Sequence, residues 1–381
     1  MFDKHSYRSW EPQISPRLRV QHKATRHDQR SHNLRLVLQC ILGAGSISRA
    51  DIARTTGLTP ATISHLVAEL EGDGFVTKLG TGPSAGGKPP TLFGVNARAR
   101  SIVAIDLSDS ERVGSVLDLK GTSSYRTTKS RQSVQGQAGI DQLMGTIDDL
   151  LGETPAPVLG IGIGTPGVID NDGTVVEASY LDWHDVPLGA LLSERYALPV
   201  HVINNSRAAA LAEYSFGEHE AENLLVLKIG NGIGAGVLLD GRVHGGEDSA
   251  AGEIGHVVVD PEGIQCYCGK SGCLETMAAV PRLVEACAPF LPAQAEGLES
   301  LRDAGAAAAA GNQQILTIID ETAGNLGRVL STTVAILDIH RVVISGIVSA
   351  LGDPFLDRLR DAIDRAVLPA LASKLELCYG R

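Results

Sequence analysis

Apolar residues in the first hundred positions fall on two helical stripes. Leu34, Leu38 and Ile41, with Val37 alongside, make the first; Ile63, Leu66, Val67 and Leu70 make the second. Between them Ser48, followed three residues on by Asp51, forms a capping box that opens a short helix. Gly57 then supplies a turn, Thr59 an N-cap, and Pro60 the first position of the second helix. After Gly74 the pattern changes. Phe75–Leu79 and Thr91–Val95 read as paired strands joined by GTGPSAGGKPP, a Gly/Pro loop carrying Lys88. Two short helices, a Gly turn and a two-stranded wing predict a winged helix-turn-helix over residues 28–98. Residues 1–27 are polar and aperiodic, with Pro12 and Pro16, and read as a flexible basic arm.

From residue 99 to 381 strand-length apolar runs alternate with helical stretches, which predicts an α/β body. SIVAIDLSDSERVGSVLDL reads as two strands around a turn at Ser108–Ser110. VLGIGIGTPGVID reads as a buried strand ending at Gly164–Gly167. LPVHVINNSRAAALAEYSFG reads as a strand, a polar turn at Asn204–Arg207 and a helix. NLLVLKIGNGIGAGVLLDGRVHGG reads as a hairpin with a Gly-rich turn at Gly230–Gly236. RVVISGIVSALGDPF reads as a strand running into a helix.

Charge divides the chain at the same place. Residues 1–98 hold 13 Lys/Arg and 7 Asp/Glu, against 20 and 37 in the remainder. A basic head on an acidic body points to a polyanion partner for the head. The second helix supplies the surface: opposite its apolar stripe it presents Ala61, Thr62, Ser64 and His65, with Thr59 at its start. These short groups let a helix approach base edges and phosphates. With Lys88 in the wing they are the expected contacts to double-stranded DNA. No apolar run reaches membrane-spanning length, and the first residues lack an apolar signal segment, so a cytoplasmic protein is expected.

Three of the six cysteines crowd into GEIGHVVVDPEGIQCYCGKSGCLE, residues 252–275. His256, Cys266, Cys268 and Cys273 offer one imidazole and three thiols within eighteen residues of a Gly-rich stretch, where thiols have no packing reason to cluster. That is the donor set of a structural Zn²⁺ site over 256–273, closed by four protein ligands. Cys40, Cys287 and Cys378 are scattered and read as buried thiols. Glu253 and Glu275 bracket the cluster and suggest a small-molecule site beside it.

The order of these pieces resembles the ROK family of repressors, open reading frames and kinases, over essentially the whole chain. GEIGH followed by CYCGKSGCLE carries the resemblance most specifically, with GIGTPGVID and the LDWHDVPL segment around Trp183 in support. The likeness is to the repressor branch related to the xylose and N-acetylglucosamine repressors. It implies an actin-like ATPase fold of two lobes with the ligand cleft between them. It also implies that Asn204, Asn205, Glu253, His256 and Glu275 hold sugar hydroxyls, His256 serving both zinc and sugar. Arg207 has two readings: a guanidinium that recognises an anionic sugar, or a surface Arg at a helix start.

The sequence departs from the family's kinases at each phosphate turn. Where a DxGGT turn is expected stands Asp106-Leu-Ser-Asp-Ser110; the second turn is Gly230-Asn-Gly-Ile-Gly-Ala-Gly236, and the adenosine-side glycines become Ser345-Gly-Ile347. Asn205 occupies the place of the catalytic Asp, and an amide cannot take the hydroxyl proton. With base and phosphate cradle both degraded, no kinase activity is expected. The expected protein is a homodimer or dimer of dimers that binds operator DNA and is released by a sugar or sugar derivative, most simply as a repressor of carbohydrate uptake or catabolism genes. The rivals are an ATP-dependent sugar kinase with a DNA-binding head and a repressor controlled by a protein partner.

Overall fold

The computed structural model describes residues 26–83, 89–107, 111–130, 135–217, 221–292 and 297–380. Lys88, the turn at Ser108–Ser110 and the arm up to residue 25 lie outside them. The chain forms two compact units, Met1–Asn96 and Ala97–Arg381. Among the described residues no helix is long and apolar enough to cross a membrane.

The first unit runs α1 (Arg26–Ala44), β1 (Ile47–Ser48), α2 (Arg49–Thr56), α3 (Pro60–Gly72), β2 (Val76–Thr81) and β3 (Thr91–Val95). Its caps form as their chemistry dictates. The Ser48 hydroxyl accepts the Asp51 amide at 3.2 Å and donates to the Asp51 carboxylate at 2.6 Å. Gly57 ends α2 at φ +69°, a left-handed value natural to glycine. Thr59 caps α3 by accepting the Thr62 amide at 3.2 Å, and Pro60 opens it. Ile63, Leu66, Val67 and Leu70 are buried against Val37 and Ile41 of α1, whereas Leu34 and Leu38 are half-buried. The wing pairs antiparallel, β1–β3–β2, with a bulge between Lys78 and Gly80.

The second unit repeats one topology twice. Its first lobe contains β4 (Ser101–Asp106), β5 (Glu111–Leu117), β6 (Ser123–Ser130), α4 (Gly136–Gly152), β7 (Val158–Thr165), a flap of β8 (Val168–Ile169), β9 (Val175–Ala178) and β10 (Trp183–Val186), then α5 (Leu188–Tyr196) and β11 (Val200–Asn204). The main sheet runs β11–β7–β4–β5–β6, with an antiparallel meander on one side and two parallel strands on the other. After α6 (Asn205–Phe216) the second lobe follows with β12 (Leu224–Ile229), β13 (Ile233–Leu239), β14 (Arg242–Val243), α7 (Leu274–Ala278), α8 (Val280–Cys287), α9 (Gly297–Ala309), α10 (Gln313–Leu337), β15 (Arg341–Ser345), α11 (Asp353–Asp364), α12 (Pro369–Ala372) and β16 (Glu376–Tyr379). Its sheet runs β16–β15–β12–β13–β14, again three antiparallel strands and two parallel ones.

Each lobe buries its own core. One gathers Val103, Ile161, Ile163, Leu143, Ile147 and Trp183; the other gathers Leu225, Leu227, Ile319, Leu326, Val342 and Phe355. The helix α6 joins them. It leaves the first sheet at Asn204, and its Ala210 packs on Leu224, Val226, Leu238 and Val343 of the second. Strand β12 is therefore covered on both faces, which explains its nearly unbroken apolar run. The polar turn expected at Asn204–Arg207 is absent. Helix α6 starts at once, because the Asn204 carboxamide caps it, accepting the Ser206 amide at 2.9 Å and the Arg207 amide at 3.2 Å.

Candidate functional site

The candidate metal centre closes on a tight loop. Cys266 donates its amide to the Lys270 carbonyl at 2.7 Å, and Gly269 returns one to the Cys266 carbonyl at 3.0 Å. A Cβ on Gly272, at φ +66°, would overlap the Asp260 carbonyl oxygen, so only glycine fits there. This fold brings the ligand atoms of His256, Cys266, Cys268 and Cys273 within 4.8 Å of one another. Cys266 Sγ lies 3.5 Å from His256 Nδ1, and Cys268 Sγ lies 3.6 Å from Cys273 Sγ. Zn–S bonds of about 2.3 Å set tetrahedrally hold sulfurs roughly 3.8 Å apart, so the cluster can hold a metal ion. Burial pushes the Cys273 thiol up to about 12 and raises Cys266 as well. At Cys268 burial is outweighed by the Lys270 amide and the neighbouring thiols, which bring it down.

The residues expected at the effector meet between the lobes, but not all are free. Asn204 Nδ2 donates to the Gly167 carbonyl at 2.9 Å and to Glu253 Oε1 at 3.3 Å, while Oδ1 serves as the helix cap. An amide has two donors and two acceptor sites, so its capacity is filled by the protein. Asn205 follows at the first position of α6, half-buried, its Oδ1 3.4 Å from the Ser206 hydroxyl. Glu253 is raised by burial, partly offset by His256 and Arg207, with Glu275 adding to the rise. A Cβ on Gly252, at φ +97°, would overlap the Ala235 carbonyl oxygen, so Glu253 is delivered by a backbone pressed on β13. Glu275 sits in the first turn of α7, and its Oε2 accepts the Ile233 amide at 3.0 Å. It therefore grips the Gly230–Gly236 turn.

Arg207 is not at the surface, and its Nε is buried with no hydrogen-bond partner among the described residues. It is buried, and its Nη2 donates to the carbonyls of Gly245 at 3.3 Å, Ser249, and Ala251 at 3.5 Å, bracing the loop that leads to Glu253. Burial lowers its pKa, partly offset by Glu253. At the other end of the cleft Lys228 Nζ lies 3.6 Å from Asp106 Oδ2, joining β12 to β4. Sequence reasoning missed Lys228. The signal was present: one cation inside the apolar run Leu224–Ile229.

In the first unit Thr59, Ala61, Ser64 and His65 are exposed on α3. Thr62 is half-buried, its hydroxyl 2.9 Å from that of Thr59. Arg49, which sequence reasoning also passed over, stacks its guanidinium 4.4 Å from the Phe93 ring centroid at the start of α2.

Residues 102–378 match the profile of the ROK family, and residues 30–77 match that of a winged helix-turn-helix DNA-binding domain. The xylose repressor of Caldicellulosiruptor bescii is 32% identical over 358 residues, covering 87% of each chain. The fold matches the crystal structure of a ROK family transcriptional regulator, a homolog of the E. coli MLC protein, with a TM-score of 0.79 at 24% identity over 92% of both chains. A ROK family glucokinase from Streptomyces griseus, solved with glucose and AMPPNP, matches with a TM-score of 0.62 at 25% identity, covering 70% of this chain and 90% of that one.

Proposed function

The chain belongs to the ROK family, and on that premise we propose that it is a sugar-responsive transcriptional regulator, in the first instance a repressor of genes for carbohydrate uptake or catabolism. One observation carries the reading. A winged helix stands in the same chain as a ROK body whose carboxylates, amides and imidazole converge beside a His/Cys₃ cluster. Likeness to a xylose repressor over 87% of each chain supports it. The outer face of α3, with Thr59, Ala61, Ser64 and His65 exposed and Thr62 half-buried, enters the major groove, and Lys88 in the wing contacts the backbone. Two such heads on a homodimer, or a dimer of dimers, read a palindromic operator.

Zn²⁺ is the metal that fits His256, Cys266, Cys268 and Cys273, and it would ionise the Cys266 and Cys273 thiols, which burial raises. Glu253, His256, Glu275 and Asn205 face the sugar hydroxyls. Asn204, its hydrogen bonds spent, positions Glu253 rather than gripping the ligand. The sugar acts through its different affinity for the operator-competent and operator-incompetent states.

Three features argue against catalysis in place of a kinase reading. Asn205 lacks a basic lone pair. The Ile233 amide of the second phosphate turn is already taken by Glu275. Lys228 and Asp106 pair with each other. Glucokinase relatives keep the kinase alternative testable.

The experiment is a melting assay with a panel headed by xylose, glucose and N-acetylglucosamine, run beside operator-shift and ATP-coupled assays. A shift of a few degrees, with loss of operator binding and no turnover, is expected. Turnover reinstates the kinase, and no shift across the panel favours control by a protein partner. His65→Ala is expected to weaken operator binding and leave the melting shift intact.

A further inference from the structure

The flap of the first lobe and the knuckle of the second meet in one aromatic contact. The Tyr180 and Tyr267 rings lie 6.4 Å apart at 71°, edge to face, the arrangement aromatic pairs prefer. Neither ring belongs to a core: Tyr267 is 78% exposed and Tyr180 40%. Tyr267 stands between two candidate ligands, Cys266 and Cys268, so the fold of the knuckle fixes where its ring sits. Tyr180 follows β9 and is held from behind, where Gln135 Nε2 donates to its carbonyl at 3.2 Å.

These two rings complete a circuit of contacts. Asn204 Nδ2 bonds the Gly167 carbonyl, and Gly167 presses on Glu177 and Ala178 of β9, two residues before Tyr180. Tyr180 meets Tyr267. Cys266, next in the chain, lies against His256, whose amide donates to the Glu253 carbonyl at 3.2 Å, and Glu253 returns to Asn204. Every other link in the ring is a main-chain connection, a hydrogen bond, a close backbone approach or a contact within the cluster. The tyrosine pair is the one link made by two exposed side chains from opposite lobes.

We propose that Tyr180 and Tyr267 are the gate of the effector cleft. They part to admit the ligand and close the rim once a sugar holds both lobes. The proposal rests on the sugar reading above and adds the residues that set entry and retention.

The test uses the full-length protein carrying Tyr180→Ala, Tyr267→Ala, both, or Tyr267→Phe. Hydrogen exchange without sugar examines the contact itself. In Tyr267→Ala, amides at Ser179–Trp183 in the other lobe are expected to exchange several-fold faster, and Tyr267→Phe restores the wild-type rate. Sugar titration examines its purpose. Each alanine variant loses about three- to tenfold in affinity, the scale of an aromatic pair. The double variant loses no more than one of them, because the two act as a unit. Unchanged exchange in Ser179–Trp183, or losses that multiply, overturns the gate. Wild-type protein that binds no sugar of the panel overturns the sugar reading instead, and the exchange arm still decides the contact.

Discussion

The two ends of the cleft hold similar side chains and use them in opposite ways. At one end Glu253 is half-buried, close to Arg207, His256 and Glu275, and bonded at 3.3 Å to Asn204. At the other, Lys228 meets Asp106, and Glu275 accepts the Ile233 amide of the Gly230–Gly236 turn. The first end holds a carboxylate whose pKa desolvation raises. The second has spent its charges on itself. Desolvating a carboxylate costs free energy that nearby cations offset only in part, and that cost persists where a ligand recovers it. On the reading proposed here, the difference separates a retained effector site from a closed nucleotide site.

The strongest way to break this contrast is at the metal. Cys273→Ser is expected to lower zinc content to the background of a metal assay, cut Tm by roughly 5 °C or more, and abolish the sugar response while operator binding survives. A variant that still releases operator on adding sugar would detach the knuckle from sensing. The next effect sharpens the effector end. Glu253→Gln keeps an acceptor for Asn204 but removes the half-buried charge, so the ligand-free protein is expected to melt at the same temperature or slightly higher. Its sugar affinity falls about tenfold, because a charged acceptor binds hydroxyls more strongly than an amide. If calorimetry shows unchanged affinity, Glu253 is structural.

At the nucleotide end the expected effects are small. Asn205→Asp restores the general base, yet a coupled ATP assay should show no turnover, since the Ile233 amide stays bonded to Glu275 and Asp106 stays paired with Lys228. Measurable turnover would mean that a single amide had silenced the enzyme. Lys228→Met is expected to shift Tm by no more than about 2 °C, because Asp106 remains half-exposed to water. A larger loss would make that pair a structural clamp between lobes.

How much could be read from the chain depends on how far apart the partners lie. The four candidate ligands span eighteen residues, so their spacing alone places them together. The caps at Ser48 and Thr59 are equally local and form as their residues dictate. The repressor architecture followed from motif order. Asn204 shows the limit. Its helix-capping chemistry is local, but the pull of Gly167 and Glu253, 37 and 49 residues distant, determines that its side chain has nothing left to offer. Arg207 shows it again, since the carbonyls it braces lie 38 to 44 residues on. No spacing rule joins Tyr180 to Tyr267, and periodicity does not reveal a helix such as α6 that leaves one sheet to pack on another.

Gly252 and Gly272 carry a consequence for genetics. Each lies where any side chain would collide with a carbonyl oxygen of a neighbouring segment, Ala235 for one and Asp260 for the other. A selection for regulators that no longer respond to their inducer should therefore recover alleles at these two codons, whose replacements deform the sensor without touching a ligand atom. Such alleles would be dominant over the wild type if mixed oligomers still occupy the operator.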